Sequence, residues 1–80
     1  MTWMFELYYS LPADPDREAR LTAQVAALGG RLDFREETDI PSVSQHVCLT
    51  FEFDEREKAE HAEQVLWHQG EHTEGVCRYG

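Results

Sequence analysis

His46-Val47-Cys48-Leu49-Thr50-Phe51-Glu52-Phe53, followed after Asp54 by Glu55 through Gln69, decides the fold. In the first part Val47, Leu49, Phe51 and Phe53 alternate with His46, Cys48, Thr50 and Glu52, the period of two that marks a half-buried strand. In the second part Ala59, Ala62, Val65 and Leu66 form one stripe of a helix. The same order stands earlier in the chain. A strand is expected at Trp3 to Tyr9, a helix at Pro15 to Leu28 and a strand at Arg31 to Glu37, and a short last strand at about Thr73 to Tyr79 completes the second unit. The chain therefore reads as strand-helix-strand twice.

Local signals set the boundaries. Trp3, Phe5, Leu7 and Tyr9 face one way and Met4, Glu6 and Tyr8 the other. Asp14 is suited to an N-cap, with Pro15 at the first helical position. Leu21, Val25 and Leu28 recur at helical spacing, and Gly29-Gly30 ends that helix. Leu32 and Phe34 share a strand face. Thr38 to Gln45, with Pro41 inside, reads as a loop. Asp54 with Glu57 resembles a capping box, and Gly70 closes the second helix. In the last strand Thr73, Gly75, Cys77 and Tyr79 are expected inward.

Eighty residues are expected to form one domain, 1–80. A chain of this size buries about 60–65% of its unfolded surface, so a shallow face or a site shared between subunits is easier to build than a deep pocket. Sixteen acids stand against seven Lys and Arg, a net charge of −9. That charge repels phosphate backbones and argues against direct binding of nucleic acid. No stretch reaches the length of a membrane helix, and the first residues do not resemble a signal peptide. Two cysteines, Cys48 and Cys77, without a CxxC pair suit a reducing cytoplasm, the expected location.

The βαββαβ order resembles the ferredoxin-like fold over nearly the whole chain. The resemblance implies an α+β two-layer sandwich with an antiparallel sheet in order 4-1-3-2 and two helices on one face. It carries almost no functional information, because this fold hosts many functions. It does direct attention to the open face of the sheet. Parity assigns that face Met4, Glu6 and Tyr8; Arg31, Asp33, Arg35 and Glu37; and His46, Cys48, Thr50 and Glu52, with Val76 and Arg78 from the last strand. The expected register sets Glu37 opposite His46, Arg35 opposite Cys48, Asp33 opposite Thr50 and Arg31 opposite Glu52, with Phe34–Leu49 and Leu32–Phe51 inside.

Specific members of the fold fit poorly. RNA-binding members stack bases on aromatics of the first and third strands, and His46, Cys48, Thr50 and Glu52 supply none. Metal-carrying members place CxxC after the first strand, where this chain has Tyr9-Ser10-Leu11-Pro12. Two looser resemblances remain. Phe5-Glu6-Leu7-Tyr8-Tyr9 and the acidity are similar to inhibitory regulators of ribonuclease E. Dimeric ferredoxin-like barrel proteins, some of them cofactor-free enzymes, pair their open faces.

Among candidate residues, His46 with Tyr8 and Glu6 could support acid–base chemistry, and Cys48 could supply a thiol. His68, His72, Glu71 and Glu74 lack a recognised ligand spacing, so neither a metal nor another cofactor is expected. Cys48 and Cys77 fall on strands too far apart for a disulfide. Trp67 lies away from the apolar stripe of its helix and suits an interface anchor. The expectation is a non-catalytic protein-binding or regulatory module, with Trp67, Tyr8, His46 and Arg35 as contacts and another protein or a second copy as partner. The alternatives are a small cofactor-free dimeric enzyme on the open face and an acidic regulator of a nucleic-acid-processing enzyme.

Overall fold

Alternation in the first and third strands and the two helical stripes build the framework seen in the computed structural model, which describes residues 1–80. Its elements are β1 (Thr2–Ser10), α1 (Pro15–Ala27), β2 (Gly30–Ile40), β3 (Ser44–Phe53), α2 (Arg56–His68), β4 (His72–Thr73) and β5 (Cys77–Tyr79). The sheet is antiparallel in the order β2-β3-β1-β4, and β5 also pairs with β1. This α+β arrangement is consistent with a ferredoxin-like sandwich. The expected last strand is broken into β4 and β5. No helix is long and apolar enough to cross a membrane.

One parity of the central strands forms the core. Phe5, Leu7 and Tyr9 of β1 and Val47, Leu49, Phe51 and Phe53 of β3 pack with Leu21 and Val25 of α1 and Ala59, Ala62 and Leu66 of α2. Burying each larger side chain contributes about 1.5–3 kcal/mol, so this cluster is the main source of stability. The Asp14 carboxylate accepts from the Arg17 backbone N–H at 3.1 Å and caps α1, as its sequence position suggests. Gly29 ends that helix at φ +96°. The capping box expected at α2 does not form. Glu55 occupies the N-cap without a side-chain bond, and Asp54 instead accepts from Arg31 at 3.1 Å.

β2 departs most from expectation. It extends to Ile40, so the loop expected from Thr38 to Gln45 shrinks to a turn at 41–43, closed by Val43 N–H donating to Ile40 C=O at 3.0 Å. Arg31 lies opposite Glu52 and Leu32 opposite Phe51, as expected. Asp33 is then an extra residue, and the register slips by one. Phe34 lies opposite Thr50, Arg35 opposite Leu49, Glu36 opposite Cys48, Glu37 opposite Val47 and Thr38 opposite His46. A one-residue slip exchanges the faces of everything that follows. Arg35 and Glu37, expected on the open face, are on the helix side, and Phe34 is on the open face.

The cause lies in what each face offers. On the helix side Arg35 meets the Glu18 carboxylate of α1, which is only 12% exposed. Phe34 would gain little there, because Leu32 on that side is still 37% exposed under the thin cover at the sheet edge.

The last strand slips similarly. Thr73 pairs with Leu7 and is buried, but Cys77 pairs with Met4 and Tyr79 with Thr2, on the open-face parity. Cys77 and Tyr79 are therefore not inward. Val76 packs against the core instead, and Arg78 pairs with Trp3, whose parity is that of the helix side.

Candidate functional site

The strand pairs bring His72, Tyr8, Cys48 and Glu36 into one row across the open face, with Ser10, His46 and Thr38 in the next. The Tyr8 ring stands edge-on between two imidazoles, its centroid 5.4 Å from His46 and 6.0 Å from His72. Ser44, two residues before His46 on the same face, places its Oγ 2.6 Å from His46 Nδ1 and fixes that ring. Cys48 Sγ donates to Glu6 Oε2 at 3.3 Å. Glu6, Tyr8, His46, His72 and Cys48 thus form one cluster at the middle of the face.

Electrostatics makes this cluster a poor nucleophile. Cys48 is buried, and burial followed by the nearby Glu6 carboxylate pushes its thiol up to about 11. A thiol so shifted stays protonated at neutral pH and is inert. The Tyr8 hydroxyl is raised too, first by burial and then by Cys48 and Glu6. Two further acids near the cluster are hydrogen-bonded within the chain. Glu52 accepts from Arg31 Nε at 3.1 Å and from Thr2 Oγ1 at 2.7 Å, and Tyr79 O–H donates to Asp33.

The candidate contacts separate. Tyr8 and His46 meet on the open face together with Glu6. Arg35 is on the helix side, held by Glu18 at 2.7 Å and Glu37 at 3.0 Å. Trp67 belongs to α2 in the helix layer and is 53% exposed. Tyr8 and His46 are thus on the open face, and Arg35 and Trp67 on the helix side. Phe34, 55% exposed on the open face, and His72 were not singled out by periodicity. Phe34 escaped because the slip at Asp33 leaves no gap in the alternation, and His72 because a two-residue strand has none.

The acids near the end of α2 are occupied otherwise than in a metal site. Glu71 accepts from Arg17 at 2.7 Å, and His72 Nε2 lies 3.7 Å from Glu74. No three His, Cys, Asp or Glu side chains converge closely enough to hold a metal ion. The two cysteines are free, Cys48 buried and Cys77 exposed. A cleft of about 430 Å³ lies away from this cluster, lined by Leu11, Pro12, Ala13, Glu37, Asp39 and Gln45. Compared with known protein families and with the curated proteins, the chain matches none.

Proposed function

We propose that this ferredoxin-like sandwich is a non-catalytic protein-binding or regulatory module that engages its partner through the open sheet face. The observation that carries the reading is Tyr8 standing between His46 and His72 on the open face. Rings with a polar tip supply contact area at low entropic cost and are common interface anchors. A net charge of −9 favours a partner with a basic surface. An enzyme that processes nucleic acid has such a surface, so regulation of one fits this reading.

The competing reading, a cofactor-free enzyme, is supported by one contact, Ser44 Oγ to His46 Nδ1 at 2.6 Å, which would orient a general base. Against it stand the protonated Cys48 and the position of the cleft, which none of Glu6, Tyr8 or His46 lines.

Affinity capture with the wild-type chain, followed by titration of the recovered protein, tests the proposal. Tyr8→Ala with His46→Ala is expected to weaken binding more than about tenfold while the melting temperature is kept. A loss produced by Trp67→Ala alone would move the contact to the helix layer. Equal binding by all variants would sink the open-face reading.

A further inference from the structure

The free edge of β2 has a property that neither its bulge nor its charge count reveals. From Phe34 to Ile40 the strand runs in unbroken register with β3, and its outer edge has no partner in the sheet. Phe34, Glu36, Thr38 and Ile40 are on the open-face parity, and Arg35, Glu37 and Asp39 on the other. The two large apolar side chains of this segment lie at its two ends, and both are exposed, Phe34 at 55% and Ile40 at 52%.

We propose that this edge pairs with the same edge of a second copy, antiparallel, with the two-fold axis through Glu37. An isologous contact sets residue i against residue j and j against i, so the segment must complement its own reverse. It does. Phe34 falls opposite Ile40 of the other copy on one face, at both ends of the contact. On the other face Arg35 falls opposite Asp39, again twice; Arg35 keeps its bonds to Glu18 and Glu37 and Asp39 its bond from Gln45, so the match there is one of opposite charge. Glu36 meets Thr38, a neutral donor. Only Glu37 meets itself, and its carboxylate already accepts from Arg35 within its own chain at 3.0 Å.

Directly opposed apolar pairs and opposite charges are the pairs that stabilise antiparallel strands. The backbone bonds are available too, since an unpaired strand edge presents N–H and C=O groups to any matching strand. The bulge at Asp33 limits the contact at one end, and the turn at 41–43 limits it at the other. The product is one sheet running through both copies, with two open faces on the same side.

This surface is distinct from Tyr8 and His46, so the two readings fail separately. Sedimentation velocity over a concentration series is expected to show a reversible dimer. Phe34→Glu is expected to abolish it, as is Ile40→Lys. The double variant, Phe34→Glu with Ile40→Lys, sets opposite charges across the contact and is expected to restore the dimer. Asp39→Arg, which places two cations opposite each other, is expected to abolish it independently. Urea midpoints monitor the fold, and both apolar positions are exposed, so the monomer should persist. A wild-type monomer at all concentrations overturns the proposal. So does a dimer that survives Phe34→Glu and Asp39→Arg, or that is lost on Tyr8→Ala.

Discussion

Arg35 grips Glu18 with two parallel hydrogen bonds, Nε to Oε1 at 2.7 Å and Nη2 to Oε2 at 3.1 Å, and so ties β2 to α1. The same carboxylate accepts from Tyr9 O–H, and Tyr9 Oη accepts from the Asp14 backbone N–H at 2.9 Å. Three elements therefore converge on one acid. Planar fork-on-fork geometry suits Arg to this place in a way Lys cannot copy.

The network predicts an acid-sensitive contribution to stability. Arg35 first, and Tyr9 with it, holds the Glu18 carboxyl below its ordinary value of 4.5, against the opposing effect of burial. A carboxyl whose folded value is depressed contributes stability that is present above 4.5 and lost as pH falls through the folded value. In Arg35→Ala the largest source of that depression is gone. The urea midpoint of the variant is expected below wild type at neutral pH, with the gap narrowing as pH falls below the carboxylate range. A gap that stays constant with pH would show that Glu18 ionisation is not what the pair stabilises.

Gly30 makes a second prediction, through close approach to an aromatic ring. A Cβ built there would meet the Phe53 ring at 2.4 Å, and Phe53 is fully buried. Gly30→Ala is expected to cost about 1–3 kcal/mol in urea unfolding, the usual range for overpacking. Combining it with Phe53→Leu makes room for the methyl, so the two changes together should cost less than their sum.

What the sequence made legible, and what it hid, follows from how many neighbours each strand has. β1 and β3 are central, with one face in the core, so a misplaced residue would bury a charge. Their alternation names their faces correctly, from Phe5, Leu7 and Tyr9 to Val47, Leu49, Phe51 and Phe53. Asp14, Gly29 and the stripe Leu21–Val25 also read directly. β2 and the β4–β5 edge each have one partner and little cover, so an extra residue such as Asp33 disturbs few bonds. Leu32-Asp33-Phe34-Arg35 alternates perfectly as a string, and nothing in it signals the slip. The placement of the candidate residues was legible to the same extent. Tyr8, Glu6 and His46 are on central strands and meet as expected, whereas Arg35 sits beyond the slip and left the group.

The two thiols are expected to differ in reactivity by their surroundings alone. Cys77 is exposed, while Cys48 is buried, pushed up to about 11 and bonded to Glu6. A disulfide reagent applied to the folded chain at mildly alkaline pH should label Cys77 rapidly and leave Cys48 protected. In urea both should react. Rapid native labelling of Cys48 would show a thiolate at the centre of the open face and revive the enzyme reading. Glu6→Gln should lower the Cys48 value and modestly speed its labelling, since the carboxylate is the second cause of the shift.

Leu66 and Trp67, neighbours on α2, should separate stability from surface. Leu66 is fully buried in the core cluster, and Trp67 is 53% exposed. One step along a helix rotates the side chain by about 100°, enough to carry it from the core to solvent. Leu66→Ala removes packed atoms and leaves a cavity in the core cluster, with an expected cost of about 2–5 kcal/mol. Trp67→Ala, although it deletes a larger side chain, should change the unfolding free energy by no more than about 0.5 kcal/mol, the range for surface positions without special partners. Thermal and urea unfolding of both variants check the pair. If Trp67→Ala proves as costly as Leu66→Ala, the indole packs against the fold in solution and is not free for a partner. If Trp67→Ala is neutral, the tryptophan is free for an intermolecular contact, and any binding it contributes can be measured without a folding defect.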